Sequence, residues 1–196
     1  MGVPNCDREE RLHILFMGTP DFSVQFLRKI MQSDDIIAVV TRGDRPTRRG
    51  HRLEYSEVKK FALDKNLTLL QPEKITDINF VERVRELAPD LIVVVAFGKV
   101  LLPEVLSIPK KGCVNVHFSL LPKYRGPAPV QWALLNGDSY TGVSSIFMKE
   151  EVDAGDVILY RKVSIDPDDN YLSLLDKLCE VGVILLEQTL NLIREG

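Results

Sequence analysis

The sequence predicts an α/β fold, a Rossmann-like, doubly wound and mostly parallel sheet with helices on both faces. Largely apolar runs at residues 12–17, 36–41 and 91–96 are typical of strands buried on both faces. Segments with apolar residues at helical spacing separate these runs, as expected where strands and helices alternate. The 196 residues, of which 45% are hydrophobic, suffice for one domain with a sizeable core.

In the N-terminal half, the strand over residues 12–17 ends at Gly18, after which Thr19 can cap a helix and Pro20 suits its first turn. Apolar residues from 22 to 30 recur at helical spacing. The pattern then predicts a strand over residues 36–41, a loop over 42–54, a helix over 58–62, a short strand over 67–70, a helix over 80–87 and a strand over 91–96.

In the C-terminal half, the next predicted strand covers residues 113–117. A helix over residues 129–136 is expected to turn Trp132 and Leu135 inward. Residues 142–148 and 157–163 are predicted to be paired or neighbouring strands. A long helix follows over residues 171–193, with Asn170 as its N-cap.

The charge pattern is uneven. A net charge of −3 argues against general nucleic-acid binding, because proteins with that role are usually basic. Between residues 42 and 52, however, a single acid, Asp44, accompanies five arginines: Arg42, Arg45, Arg48, Arg49 and Arg52. The sequence therefore places a basic island on an acidic body.

Signals for targeting, membrane insertion and metal binding are missing. Residues 1–11 are a polar extension without the apolar stretch of a secretory signal, and no run of about 18 apolar residues could span a membrane. We therefore expect a cytoplasmic protein. Cys6, Cys113 and Cys179 are odd in number and widely spaced, which argues against a disulfide framework and a zinc site, so we expect no metal.

The turn after the first strand lies where dinucleotide-binding folds hold phosphate. It has one glycine, Gly18, in place of the Gly-x-Gly-x-x-Gly fingerprint. This pattern predicts a tight strand-to-helix turn and argues against a nicotinamide or flavin cofactor.

Strand alternation places Asn115 and His117 on one face of the strand over residues 113–117. A sheet buried on both faces must give an amide and an imidazole partners, and the C-terminal ends of such strands commonly bind ligands. A hydrogen-bonded core pair and a functional pair explain this pattern equally well.

Two further segments could contribute to a site at the end of this strand. Residues 120–127, with two prolines and a glycine, predict a constrained loop. Residues 150–156 are typical of a solvated acidic turn, although Asp153 lies between Val152 and Ala154, which suits a partly enclosed carboxylate. Asn115, His117 and Asp153 together could serve an acyl transfer, with the amide stabilising an oxyanion and the imidazole moving protons.

Two motifs resemble the 10-formyltetrahydrofolate-dependent formyltransferases. Residues 115–126, Asn-Val-His-Phe-Ser-Leu-Leu-Pro-Lys-Tyr-Arg-Gly, resemble the active-site strand and loop of that family. Residues 152–155, Val-Asp-Ala-Gly, resemble its catalytic aspartate loop. Residues 16–22 and 44–50 resemble the methionyl-tRNA formyltransferases in particular. The resemblance runs from about residue 12 to the end of the sequence.

The resemblance implies a catalytic domain over residues 12–196 that transfers a formyl group from 10-formyltetrahydrofolate to the amino group of methionyl initiator tRNA. It implies that Asn115, His117 and Asp153 are catalytic and that no covalent enzyme intermediate forms. The folate residues that it implies are Ala96, Phe97, Gly98, Leu101, Ser119, Leu120, Leu121, Pro122 and Val152. The residues that match the loop approaching the tRNA acceptor stem are Arg42, Arg45, Arg48, Arg49 and Arg52.

Members of this family differ in their acceptor and in their domain layout. The alternative is a sugar-nucleotide N-formyltransferase, although the arginine-rich loop and residues 17–20 favour tRNA. A glycinamide ribonucleotide formyltransferase fits less well, because its loop lacks the Tyr-Arg-Gly of residues 124–126. The complete trio argues against a catalytically silent RNA- or folate-binding module. Methionyl-tRNA formyltransferases add a C-terminal β-barrel domain that this sequence lacks, so we expect full tRNA binding to need more than residues 12–196.

Overall fold

The computed structural model describes residues 11–46 and 53–195. The strands are β1 (His13–Gly18), β2 (Asp35–Val40), β3 (Arg45–Pro46), β4 (Leu53–Glu54), β5 (Leu69–Leu70), β6 (Leu91–Val95), β7 (Cys113–His117), β8 (Tyr140–Phe147) and β9 (Val157–Ser164). The helices are α1 (Ser23–Ser33), α2 (Glu57–Asp64), α3 (Ile78–Leu87), α4 (Pro103–Leu106), α5 (Pro129–Leu135) and α6 (Tyr171–Glu195).

Seven strands form one mixed sheet in the order β5-β2-β1-β6-β7-β8-β9. The five strands from β5 to β7 are parallel to their neighbours, whereas β8 and β9 are added antiparallel at one side. The chain passes from β1 to β2 on one side and from β6 to β7 on the other. The strand order therefore reverses between β1 and β6, which is where open α/β sheets bind ligands beyond the carboxyl ends of their strands.

Helices cover both faces of the sheet, which confirms the predicted doubly wound fold. Along β1, Ile14 and Phe16 pack into a core with α1, α2 and α6. Leu15 and Met17 pack into a second core with α3 and α4. All four side chains are fully buried, so the strand is apolar throughout because each of its faces meets a helical layer.

Helix α6 begins as predicted. The side chain of Asn170 accepts hydrogen bonds from the backbone N–H groups of Leu172 and Ser173, at 2.9 and 3.2 Å. These two donors have no partner within the helix, so the amide oxygen stabilises the first turn.

The prediction that Thr19 caps the first helix is wrong. Helix α1 begins only at Ser23, after a turn in which the Ser23 amide bonds to the Pro20 carbonyl. Parallel pairing of β1 with β6 brings Thr19 beside the segment after β6, and its hydroxyl donates to the Phe97 carbonyl at 3.4 Å instead.

Two further predictions need correction. The predicted loop over residues 42–54 carries a short strand at each end, because Arg45 pairs with Glu54 and Pro46 with Leu53. Helix α5 exposes 51% of Trp132 and 76% of Leu135, and it buries Val130 and Ala133 instead. Seven residues are too few for the apolar spacing to indicate which side of this helix is buried.

Candidate active site

The polar residues of β7 lie on the face that the alternation predicts. Val114 and Val116 belong to the core beneath α1 and α6, so Asn115 and His117 turn to the opposite face. His117 is the last residue of β7 and is 6% exposed. An imidazole so deeply placed at a strand end needs specific partners.

Asp153 supplies the first partner. It lies in the turn between β8 and β9. Antiparallel pairing places the end of β8 beside the start of β7, and the turn then folds back along β7 to Asn115 and His117. The Oδ1 atom of Asp153 accepts from the Asn115 amide at 3.0 Å, and Oδ2 accepts from the Gly126 backbone N–H at 2.9 Å. Oδ2 also lies 3.4 Å from Nδ1 of His117. Asn115, His117 and Asp153 therefore converge, as the acyl-transfer hypothesis requires.

The second ring nitrogen of His117 faces the main chain. Its Nε2 atom lies 2.8 Å from the carbonyl oxygen of Tyr124. A carbonyl only accepts hydrogen bonds, so Nε2 carries a proton and donates it. Both ring nitrogens thus face oxygen atoms, with Nδ1 beside the Asp153 carboxylate.

Left-handed backbone conformations cluster around these residues. Four non-glycine residues near the trio have positive φ: Ala96 (50°), Tyr124 (57°), Ala128 (60°) and Asp153 (48°). Each costs about 1 kcal/mol or more, so surrounding contacts must hold these residues in place. Such strain is common where a protein fixes functional groups.

A cavity of about 440 Å³ opens beside the trio, a size in the range of small-molecule sites. Its walls combine the trio with the segment after β6, the loop after β7 and the end of β8. The residues that line it are Val94, Ala96, Phe97, Gly98, Lys99, Val100, Leu101, Asn115, Val116, His117, Phe118, Gly126, Pro127, Ala128, Pro129, Ile146, Met148, Lys149, Glu150, Val152 and Asp153.

Five of the predicted folate residues line this cavity, namely Ala96, Phe97, Gly98, Leu101 and Val152. The other four predicted folate residues, 119–122, do not line the cavity. The Ser119 hydroxyl donates to the Lys123 carbonyl at 2.5 Å, and the Ser144 hydroxyl joins the Ser119 carbonyl to the Leu121 amide. This segment therefore anchors the loop after β7 to β8.

Among the lining residues that sequence reasoning missed are residues 126–129 and two side chains of β8 and its extension, Ile146 and Met148. The Gly-Pro-Ala-Pro sequence of residues 126–129 was the available signal, since it predicts a rigid loop directly after the active-site motif. Pairing of β7 with β8 brings Ile146 opposite Asn115, a neighbour that local periodicity does not reveal.

Cys113 lies on the same face of β7 as Asn115 but does not line the cavity. Burial raises the pKa of its thiol to about 12, so the thiol stays protonated at neutral pH. Within residues 11–46 and 53–195, no cluster of three or more His, Cys, Asp or Glu side chains could hold a metal ion. In the same ranges, no helix is long and apolar enough to span a membrane.

The described part of the basic island lies at the carboxyl end of β2. Arg45 is exposed and Arg42 half-buried, whereas Arg48, Arg49 and Arg52 lie outside the described residues. The single acid, Asp44, is engaged elsewhere: hydrogen bonds from Gln71 and Lys59, at 3.0 and 2.6 Å, hold the pKa of its carboxyl below the usual range. Lys59 thus pairs with the one carboxylate that could have offset the charge of an arginine in the island.

Residues 10–190 match the formyl transferase family. The chain is similar to the methionyl-tRNA formyltransferases of Fusobacterium nucleatum and Clostridioides difficile, with 47% identity to each over 94% of this chain. It spans 60% of the length of these two relatives.

Two solved structures share the fold at low sequence identity. Glycinamide ribonucleotide transformylase 1 from Symbiobacterium toebii superposes with a TM-score of 0.80 at 17% identity, over 100% of this chain and 92% of that one. A sugar N-formyltransferase from Shewanella superposes with a TM-score of 0.68 at 18% identity, over 93% and 70% of the two chains.

Proposed function

The chain belongs to the formyl transferase family, and from this membership we propose that it transfers a formyl group from 10-formyltetrahydrofolate to the amino group of methionyl initiator tRNA, in support of translation initiation. The observation that carries the chemistry is the arrangement of Asn115, His117 and Asp153 at the wall of the cavity. The acceptor is inferred from the methionyl-tRNA formyltransferases to which the chain is similar.

The trio suits direct transfer between two nitrogens. The donor supplies the formyl carbon; a bond forms from the acceptor amine to that carbon, and the bond from the folate N10 breaks. The attacking amine loses a proton and N10 gains one. The Asn115 amide has a second N–H, besides the one that donates to Asp153, and this group can stabilise negative charge developing on the formyl oxygen. His117 and Asp153 can exchange the proton through Nδ1, 3.4 Å from the carboxylate.

The cavity fits a flat, partly polar ligand such as the pterin of a folate. Phe97, Leu101 and Ile146 supply apolar walls, and the backbone of residues 96–101 offers polar groups at one end. We propose that Ala96, Phe97, Gly98, Leu101 and Val152 hold the folate. Residues 119–122 contribute by fixing the loop that carries Tyr124 and Gly126.

We propose that Arg42, Arg45, Arg48, Arg49 and Arg52 contact tRNA phosphates. A basic segment attracts a nucleic-acid backbone by releasing counterions. Its described base follows β2, at the same carboxyl edge of the sheet as the trio. An acceptor stem held there could present its terminal amine to the cavity.

The test measures formyl transfer from 10-formyltetrahydrofolate to methionyl-tRNA and, in parallel, to an amino-sugar nucleotide. We expect formylmethionyl-tRNA as the product. His117→Ala should keep its circular dichroism spectrum and lose at least about 10²-fold in kcat, since proton transfer contributes about that much. Transfer to the amino-sugar nucleotide but not to methionyl-tRNA would show that the acceptor is a sugar and not tRNA. Formate release without transfer to either acceptor would refute a transferase.

A further inference from the structure

The carbonyl that binds His117 belongs to a residue in an unfavourable conformation. Tyr124 has a φ of 57°, and its backbone oxygen accepts the Nε2–H of His117 at 2.8 Å. A tyrosine in the left-handed region is disfavoured by about 1 kcal/mol or more, so other contacts must hold this carbonyl in place.

Those contacts come from the side chain of Tyr124. Its hydroxyl donates to Oδ2 of Asp138 at 2.8 Å and accepts from the side-chain amide of Asn136 at 2.9 Å. Lys123 donates to the same oxygen of Asp138 at 2.7 Å. Two successive residues of the loop are thus fixed to one carboxylate.

Asp138 is itself well placed to act as an anchor. It follows α5, and its backbone N–H bonds to the carbonyl of Ala133 in that helix. Its side chain is 17% exposed. Hydrogen bonds from Lys123 and then Tyr124 hold the pKa of the Asp138 carboxyl below its ordinary value, and the Asp138 carboxylate raises the pKa of Lys123. Both groups therefore stay charged at neutral pH.

We propose that Asp138 is a positioning residue for formyl transfer, acting through the Tyr124 hydroxyl to hold the Tyr124 carbonyl against Nε2 of His117. This anchor keeps a proton on Nε2 and leaves Nδ1 to exchange its proton beside Asp153. The inference rests on the proposed formyl transfer, but neither Asp138 nor the Tyr124 hydroxyl lines the cavity. We therefore expect the anchor to act through the orientation of His117 and not through a direct contact with substrate.

The test compares Tyr124→Phe, Asp138→Ala and the double variant with wild type. Tyr124→Phe keeps the ring and the backbone and removes only the hydroxyl that reaches Asp138. Tyr160→Phe is the matched control, because Tyr160 is an exposed tyrosine on β9. We expect kcat to fall at least about tenfold in both single variants, since small misplacements of a reacting group are costly. The KM values for folate and acceptor should not change.

Two further measurements separate positioning from general destabilisation. In a proton NMR spectrum, the hydrogen-bonded Nε2–H of His117, assigned by its loss in His117→Ala, should exchange slowly with water in wild type and Tyr160→Phe but rapidly in Tyr124→Phe. The kcat of the double variant should be no lower than that of the less active single variant, because both changes break the same chain of contacts.

Each outcome bears on the inference separately from the proposed reaction. If wild type transfers no formyl group, the proposed function fails, while the Nε2–H exchange still tests the contact. If wild type is active and Tyr124→Phe matches Tyr160→Phe in kcat and exchange, the anchor is refuted. If Asp138→Ala does not fold, Tyr124→Phe alone decides. A rise in KM as large as the fall in kcat would also refute the anchor as a positioning device, since it would show that the anchor shapes the binding site.

Discussion

At the scale of single residues, the carboxylate of Asp153 joins the parts of the site. It accepts hydrogen bonds from Asn115 and Gly126 and lies beside His117, so one side chain connects β7, the loop after it and the turn before β9. Its left-handed backbone aims the carboxylate back toward β7.

Asp153→Asn tests the charge at that position. Asparagine tolerates positive φ and keeps an acceptor oxygen for Asn115 or Gly126, so we expect the variant to fold with a Tm close to wild type. It cannot accept a proton or stabilise a charged imidazole, and kcat should fall by about 10²–10⁴-fold. Asp156→Asn is the control in the same turn, because Asp156 pairs with Lys149 at the surface. Equal rates for the two variants would contradict the assignment.

At the scale of elements, the turn between β8 and β9 depends on a glycine. A methyl group at Gly155 would overlap the backbone carbonyl oxygen of Phe147, and Phe147 also bonds to Asp156 through its N–H. Phe147 ends β8, so the turn cannot move away without disturbing the strand that carries it.

Gly155→Ala should therefore displace the turn and with it Asp153. We expect a loss of about 1–3 kcal/mol in the free energy of unfolding, as for other overpacked sites, and a large fall in kcat. Gly43→Ala is the control, since nothing lies within 4 Å of the added methyl group. Denaturant unfolding and formyl-transfer rates check both variants. A fully active, equally stable Gly155→Ala protein would show that the turn adapts freely.

The start of α6 makes stability depend on pH. Hydrogen bonds from Lys177, Ser173 and the Asp166 backbone lower the pKa of Asp169 to about 2 from its ordinary value near 4. Because the folded pKa is depressed, this carboxylate stabilises the fold above about pH 4, and its contribution is lost as the pH falls toward about 2.

Asp169→Asn should consequently lower Tm at pH 7 and have a much smaller effect at pH 2, where the wild-type carboxyl is half protonated or more. Thermal unfolding at a series of pH values measures this difference. Asp168→Asn, at the exposed neighbouring position, is the control. A Tm difference between wild type and Asp169→Asn that stays constant from pH 7 to pH 2 would show that the charge of Asp169 is not responsible.

At the scale of the whole molecule, a basic island on an acidic protein predicts recognition that depends on salt. Arg48→Ala with Arg49→Ala should raise KM for methionyl-tRNA and flatten its dependence on salt concentration, because fewer counterions are released. The KM for folate should not change. The control replaces Arg83 and Arg85 on α3, which are exposed and paired with Glu86 and Glu82. An identical salt response in both double variants would remove the island from recognition and favour an amino-sugar acceptor.

The sequence by itself determined the layers of the fold and the polar groups of the candidate site. Continuous apolar runs predicted strands buried on both faces, and β1, β2 and β6 have that form because each face meets a core. Alternation alone placed Asn115 and His117 on one face. Short or aperiodic elements escaped prediction: α4 has four residues, and β3 and β4 have two each. Segments of this length are too short to show a period.

Only the tertiary structure decided which residues meet. Asp153 reaches His117 across 36 positions because β8 pairs with β7 and the turn after β8 folds back along that strand, and no local pattern encodes this arrangement. The same pairing brings Ile146 into the cavity, and the loop after β7 folds so that residues 126–129, and not 119–122, face it. The contact of Tyr124 with Asp138 likewise depends on a left-handed residue. Local sequence sets the shape and polarity of each element, but contacts between distant elements follow from how the buried faces pack together.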